Sequence, residues 1–476
     1  MPVLAQFTAP FQTRRKRSIP RVALVASLIA SLIAPNIANA RGIIRDAETE
    51  ALIREYARPI FQAAGLGSQN IKIHIVNDKN FNAFVVDGHN MFMHAGTLMI
   101  SETPNQVIGV IAHETGHITG GHLARLRSQV AQMKSTALML QLLGLAAMAG
   151  GALAGVPNAG AAGMGAVAGG TSAAMRSFLA YRQTEESSAD QAGMQFLNAT
   201  RQSGRGMLET FDVLARKLRG VQGINPYLMT HPLPQVRITQ LRRLVESSPY
   251  YDVEDPPELQ FRHDLLRAKL VGFLDKPKVA LNRYRDDTSL PATYAKAIAT
   301  YRQSGVDAAM PHLNQLTAAQ PNWPYFYELK GQFLFESGRG TEAIPHLRKA
   351  IELAPHEPLI QIMLAQAMLS TQDSRYLDEA VRNLRKALIR EKQSALGYRQ
   401  LASAYARKGD LAKTDSARRN FLARAALASA EAYFYEGRLR ESQMLAKRAQ
   451  DGLLDGTPQW LRAQDILDFQ PPKHKK

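Results

Sequence analysis

The chain has 476 residues, a formal net charge of +17 and no cysteine. The missing thiols exclude disulfides, thiolate metal ligands and a cysteine nucleophile, and the length exceeds one ordinary core, so at least two domains are expected. The basic surplus would suit nucleic acid, but it is scattered rather than gathered into one block, as Arg and Lys on solvated helix faces are, and it is equally compatible with peripheral contact to anionic membrane headgroups.

Residues 1–40 read as a signal peptide. Arg14-Arg15-Lys16-Arg17 and Arg21 supply a positive start, Val22 to Ala34 an apolar run, and Ala38-Asn39-Ala40 a small-residue cleavage site. No acidic residue precedes Asp46. The expectation is export to the periplasm of a Gram-negative bacterium with cleavage after Ala40, which argues against nucleic acid as a partner.

Residues 41–246 are expected to form the catalytic half. Ile71-Lys72-Ile73-His74-Ile75-Val76 alternates as a strand does; Phe84-Val85-Val86, Asp87-Gly88 and Met91-Phe92-Met93 read as a tightly turned strand pair. His74, His89 and His94 fall here and read as strand or turn residues rather than ligands. A strand beside a cleft can pair with an extended substrate. Next comes His113-Glu114-Thr115-Gly116-His117, inside an apolar helical pattern that Thr103-Pro104 and Gln106 open as cap, first-turn proline and capping-box partner. Four residues apart on a helix, the two imidazoles leave one face and can hold a single Zn²⁺. Glu114 beside them suits proton transfer rather than coordination.

A tetrahedral catalytic zinc needs a third protein ligand. Gly120 fits the spacing in which a third histidine follows, but His122 comes one residue early and Leu123 holds the required place. A carboxylate is the alternative. Glu186 and Asp190 are four apart, ahead of the apolar-periodic Ala192, Met194, Phe196 and Leu197. Glu186 can therefore reach the metal while Asp190 accepts a hydrogen bond from the far nitrogen of a ligating histidine. Glu185 is the fallback ligand, and a solvated acidic helix start is the bland reading of the same residues.

Residues 132–175 are Gly/Ala-rich and broken by Pro157-Asn158. Their apolar length raises a membrane hairpin, but glycine and alanine give little transfer energy and Gln141 interrupts the strongest part, so a flexible flap that touches a membrane or covers the cleft is favoured. Residues 247–262, rich in serine and proline, read as a linker. From 263 to 468 the pattern is all-helical: Pro311-His312-Leu313 and Pro321 recur 34 residues on as Pro345-His346-Leu347 and Pro355, the TPR period. Gly331, Gly338, Ala343, Leu347 and Ala350 fit small and large positions of such a repeat, and Ala380, Leu384 and Ala387 begin the next. An array of this kind presents a concave face for another chain. Residues 469–476 form a basic tail.

His113-Glu114-x-x-His117, then Glu186-x-x-Ala189-Asp190, then Thr230-His231-Pro232 with Arg237 resembles the M48 class of zinc metallopeptidases, and Asn82-Ala83-Phe84 followed by Gly88 and Gly96 matches the segment ahead of its active helix. The resemblance implies one Zn²⁺ per chain held by His113, His117 and Glu186, with Glu114 as general base and Asp190 behind a ligating histidine. It implies a mainly α chain: a zincin-type (gluzincin) α+β metalloprotease domain with a small β-sheet, followed by an all-α TPR solenoid. It also places the rigid loop around His231, Pro232 and Pro234 near the cleft. There His231 could bind substrate or the transition-state oxyanion, occupy the open zinc position and hold the enzyme latent, or be pinned for structural reasons.

Two functions are compatible with these residues. The first is a periplasmic zinc endopeptidase, with chaperone activity beside it, in assembly and quality control of outer-membrane β-barrel proteins. The resemblance then implies unfolded or misassembled outer-membrane proteins as substrates and docking to the β-barrel assembly machinery through the repeat half. The second is a TPR chaperone or adaptor in which proteolysis is latent or minor.

Overall fold

The computed structural model describes residues 42–153, 159–218, 227–228, 231–232 and 235–471. The expected leader and cleavage site lie outside the described residues, as do Pro157, Asn158, Thr230, Pro234 and residues 472–476 of the tail.

Four short strands, β1 (Ile43–Ile44), β2 (Lys72–Val76), β3 (Ala83–Val85) and β4 (Asn90–His94), form one sheet in the order β1-β2-β4-β3. The central pair β2–β4 is parallel, with Ile73 opposite Met91 and Ile75 opposite Met93; β3 runs antiparallel to β4 with Phe84 opposite Phe92. Period-two alternation puts Ile75, Met91 and Met93 in the core. His74 and Phe84 stack on Phe92.

Helix α1 (Ala47–Ala63) starts at Asp46, whose carboxylate accepts from Thr49 N at 2.8 Å. A short α2 (Ala95–Ile100) leads into α3 (Pro104–Thr119), which carries the histidine pair. Thr103 caps α3 as its sequence predicts, and the Gln106 side chain reaches back to accept from Glu102 N at 2.8 Å. Nearly every residue of α3 is buried, so it is the central helix of this half. It packs against α5 (Ala159–Ala199) and α6 (Arg205–Leu218); α7 (Gln235–Glu246) lies against α5 and α6.

Residues 132–175, expected as a flexible flap, run as helical backbone through α4 (His122–Leu153) and α5, which pack side by side; residues 154–158 lie outside the described residues. Alanine is the strongest helix former, and its abundance here offsets the glycines. Leu138, Met139 and Leu142 of α4 and Leu179 of α5 are exposed. Among the described residues no helix is long and apolar enough to cross a membrane.

The expected linker is also structured. Ser248 Oγ donates to Asn198 Oδ1 (2.6 Å), and Asp255 accepts from Asn105 N (2.8 Å) at the first turn of α3. Helix α8 (Pro257–Leu274) starts within it. Leu266 and Leu270 of α8 join the core of the catalytic half, while the adjacent Leu265 joins the core of the repeats. A proline at the first helical position and an apolar face on each side suit α8 to this shared role.

Beyond α8 the chain is helical: α9 (Pro277–Arg283), α10 (Leu290–Ser304), α11 (Val306–Ala319), α12 (Pro324–Glu336), α13 (Gly340–Leu353), α14 (Pro358–Ser370), α15 (Leu377–Arg390), α16 (Ala395–Asp410), α17 (Asp415–Tyr435), α18 (Leu439–Gln450) and α19 (Pro458–Asp468). The recurring Pro311 and Pro345 lie inside α11 and α13, and Pro324 and Pro358 open α12 and α14. Gly331 leaves room for Leu347, which is buried with Ala343 and Ala350. A 3₁₀ turn at Ser374–Tyr376 takes up the insertion before α15.

An ion cluster joins the two halves. The buried Lys269 of α8 contacts Asp46 (2.5 Å) and Glu48 (3.2 Å) at the start of α1. Glu48 also accepts from Tyr294 of α10 (2.7 Å) and from Trp323 Nε1 (3.1 Å). Removing one partner of a buried ion pair strands the other charge, at a cost of about 3–5 kcal/mol. Lys269→Met is expected to lower stability by roughly that amount, read from the urea midpoint, and adding Glu48→Gln should recover part of the loss.

Candidate metal centre

Helices α3 and α5 cross where Gly116 meets Ala189. A Cβ on Gly116 would stand 2.6 Å from the Ala189 carbonyl oxygen, so only glycine permits this approach. The crossing brings His113 and His117 on α3 opposite Glu186 and Asp190 on α5. His231 enters from the side, held by its own N–H on Tyr227 O (2.7 Å) and stacked on the Tyr227 ring at 4.6 Å.

His113, His117, Glu186 and His231 each offer a donor atom, and the four atoms lie within 4.8 Å of one another. His113 Nε2 is 3.1 Å from His117 Nε2 and 3.4 Å from Glu186 Oε2; His117 Nε2 is 3.5 Å from Glu186 Oε1. His231 Nδ1 stands 3.0 Å from Glu186 Oε2 and 3.4 Å from His113 Nε2. Glu114 borders the group, with Oε1 3.5 Å from His231 Nε2. It is fully buried, and among the described residues neither of its oxygens has a hydrogen-bond partner. An ionisable group left this way needs something else to face it.

Around this group sits a ring of supporting contacts. Asp190 Oδ1 lies 2.8 Å from His113 Nδ1. Arg237 of α7, itself buried, donates to both Asp190 oxygens (2.7 and 2.9 Å) and to Pro232 O (3.0 Å), and its Nη1 is 2.9 Å from Glu186 Oε2. Glu185, the fallback ligand, faces the other way: it takes a two-pronged contact from Arg125 (3.2 and 2.7 Å) and lies 3.2 Å from His122 Nε2. Among the described residues, His74, His89 and His94 take no part in the group.

Burial and the local charges act in opposite directions on these side chains. Burial would raise Glu186, but His231 and hydrogen bonds from His113 and His117 hold it well below the usual carboxylate range. Asp190 follows the same pattern, with Arg237 overcoming burial. Glu114 has no such hydrogen-bonding help, and burial pushes it up. Burial lowers His117 to about 3; His113, equally buried, is lifted to about 9 by hydrogen bonds to Asp190 and Glu186.

Sequence reasoning missed two parts of this arrangement. Arg237 was part of a motif without a stated role, and no local pattern tells that a helical arginine will be buried. His122 reads from its spacing only as a rejected ligand; its place beside His117, with Nδ1 to Nδ1 at 2.8 Å, requires the turn after α3 to be known.

A helix bearing His-Glu-x-x-His, crossed by a second helix bearing a carboxylate, is the donor arrangement of one class of metallopeptidases. Residues 44–245 match the profile of Peptidase family M48, so the chain is a metallopeptidase with an M48 domain. Its relatives include the β-barrel assembly-enhancing protease of Escherichia coli K12, 26% identical over 405 residues, covering 83% of this chain and 77% of that protein. The Yersinia pestis protein of the same name is 25% identical over 346 residues, 71% of this chain and 68% of the relative. A Vibrio cholerae protein named as a putative member of that group is 26% identical over 394 residues, 80% and 78% of the two chains.

Because the α3–α5 crossing depends on the bare backbone at Gly116, Gly116→Val forces the helices apart. Overpacking of this kind costs about 1–3 kcal/mol. The urea midpoint is expected to fall by the corresponding amount.

Proposed function

We propose that the protein is a periplasmic zinc endopeptidase acting on unfolded or misassembled outer-membrane β-barrel proteins. The observation that carries the chemistry is the convergence of three imidazole nitrogens and a carboxylate next to the buried Glu114, whose oxygens make no hydrogen bond among the described residues. Nitrogen-rich donors with one carboxylate suit Zn²⁺ better than Mg²⁺ or Ca²⁺. A tetrahedral zinc with bonds of about 2.0–2.1 Å has ligand atoms about 3.3–3.4 Å apart, close to the 3.0–3.5 Å separations among these donors. His113, His117 and Glu186 would hold the ion.

Bound there, zinc would polarise a scissile carbonyl and make water acidic enough to attack at neutral pH. Glu114, its carboxyl raised by burial, would take the proton from the attacking water and deliver it to the leaving amide nitrogen. Asp190, held by Arg237, would keep a proton on His113 Nδ1 so that Nε2 presents its lone pair. His231 Nδ1 faces the donor group, which favours the latent-ligand reading over the oxyanion one: four protein ligands would leave no open position.

The leader pattern supports export, and the names of the relatives support substrates among β-barrel proteins. The helix pairs that start near Leu290 suit TPR-type capture of a substrate segment or docking to the β-barrel assembly machinery. Exposed Leu138, Met139, Leu142 and Leu179 suit contact with an unfolded chain or a membrane surface.

Glu114→Gln is expected to lower kcat/KM for casein by about 10²–10⁴-fold with zinc content unchanged. Stripping zinc with a chelator should abolish cleavage, and re-adding it should restore the rate. Retained cleavage by the Glu114→Gln variant would remove its role as base. Full support of outer-membrane assembly by an inactive variant would move the function to the repeats, as a chaperone or adaptor. His231→Ala is expected to raise casein cleavage by opening the fourth position; unchanged activity and zinc affinity would remove both functional readings of His231.

A further inference from the structure

We propose that His122, backed by Glu185, is a positioning residue that fixes the orientation and tautomer of His117 and ties it to the base of the α4–α5 hairpin. The inference rests on the zinc reading above and concerns residues to which that reading gives no role. A histidine that offers Nε2 to a metal carries its proton on Nδ1, which needs an acceptor. For His113 that acceptor is Asp190. For His117 the atom within reach is His122 Nδ1, at 2.8 Å, with the two rings nearly perpendicular at 84°.

The proton arrangement follows step by step. With His117 Nδ1 as donor, His122 Nδ1 must be an acceptor, so the single proton of a neutral His122 sits on Nε2. That nitrogen is buried, makes no hydrogen bond among the described residues, and has Glu185 Oε2 as its facing acceptor at 3.2 Å. Arg125 holds Glu185 with two nitrogens and also donates to Gly120 O. One chain of contacts thus runs from His117 on α3, through His122 on α4, to Glu185 on α5, next in sequence to Glu186 and held by Arg125.

The backbone is shaped for it. Gly121 has φ +65°, in the left-handed region, and turns the chain back over the end of α3. Gly120 lies under the His122 ring, and a Cβ there would collide with that ring. The two glycines therefore serve the placement of His122 rather than a third histidine ligand further on.

The test uses the full mature chain stripped of metal and titrated with Zn²⁺ against a chromophoric chelator. His122→Phe, which keeps the ring volume but removes the acceptor, is expected to weaken zinc binding by about 10–100-fold. His122→Asn, whose side-chain oxygen can accept from His117 Nδ1, should recover most of that loss. The absorption spectrum of the Co²⁺-loaded protein should shift in the Phe variant and return toward wild type in the Asn variant, which a purely structural role would not produce. Wild-type affinity in His122→Phe, or an Asn variant as weak as the Phe variant, would overturn the inference. Should His122→Phe fail to fold, Glu185→Leu reads the same chain of contacts: about 10-fold weaker binding supports it, and unchanged binding overturns it. A wild-type chain that binds no Zn²⁺ would instead sink the zinc reading itself.

Discussion

The donor group depends on how its buried carboxylates are compensated. Two carboxylates, Glu186 and Asp190, face inward from α5 into a volume that also holds three imidazoles and Glu114. Without a countercharge that concentration of acid could not stay buried and ionised. Arg237 supplies that charge to Asp190, while His231, His113 and His117 hold Glu186; its planar fork reaches both acids and the Pro232 carbonyl at once, which an ammonium could not do in the same geometry. The turn at His231–Pro232 and helix α7 are consequently held on α5, and Asp190 is aimed at His113. The arginine is thus a structural condition for the donor group, although it offers that group no ligand atom.

A second constraint is the continuity between the halves. Helix α8 places neighbouring leucines in two different cores, and Lys269 draws the start of α1 onto α8 while Tyr294 and Trp323 of the repeat region bond Glu48. Arg262 adds a two-pronged contact to Glu55 of α1 (2.9 and 2.6 Å), and His263 bridges Tyr56 and Ser101 O. The helical C-terminal region is therefore fixed relative to the donor group, not carried on a swinging tether.

The parts that were legible in the sequence share a physical character: they are local. The period-two strands, the capped apolar helix and the i,i+4 pairs at 113/117 and 186/190 each declare themselves within a few residues. The proline-marked period beyond residue 263 likewise announced an all-helical region. What escaped depends on contacts between distant segments. Serine and proline at 247–257 suggested a linker, because composition cannot show that Asp255 caps the start of α3 or that α8 has two apolar faces. The Gly/Ala stretch has no periodic hydrophobicity to announce its helical backbone, which alanine's helix propensity accounts for. Arg237 and His122 read as ordinary polar residues until the tertiary contacts supplied their partners.

The proposed ligands His113 and His117 sit one turn apart on the same helix, yet their outer nitrogens meet different chemistry. His113 faces an ionised carboxylate locked by Arg237, a contact made wholly within the catalytic core. His117 faces a second imidazole that is the first residue of α4, and that imidazole leans on a glutamate of α5. A carboxylate partner raises ligand basicity more than a neutral ring does, so the two histidines would bind a metal unequally. The weaker of the two is also the one whose support comes from the hairpin. Any displacement of α4 against α5 at their base would therefore act on the donor group through His117 first, leaving the His113–Asp190–Arg237 side in place.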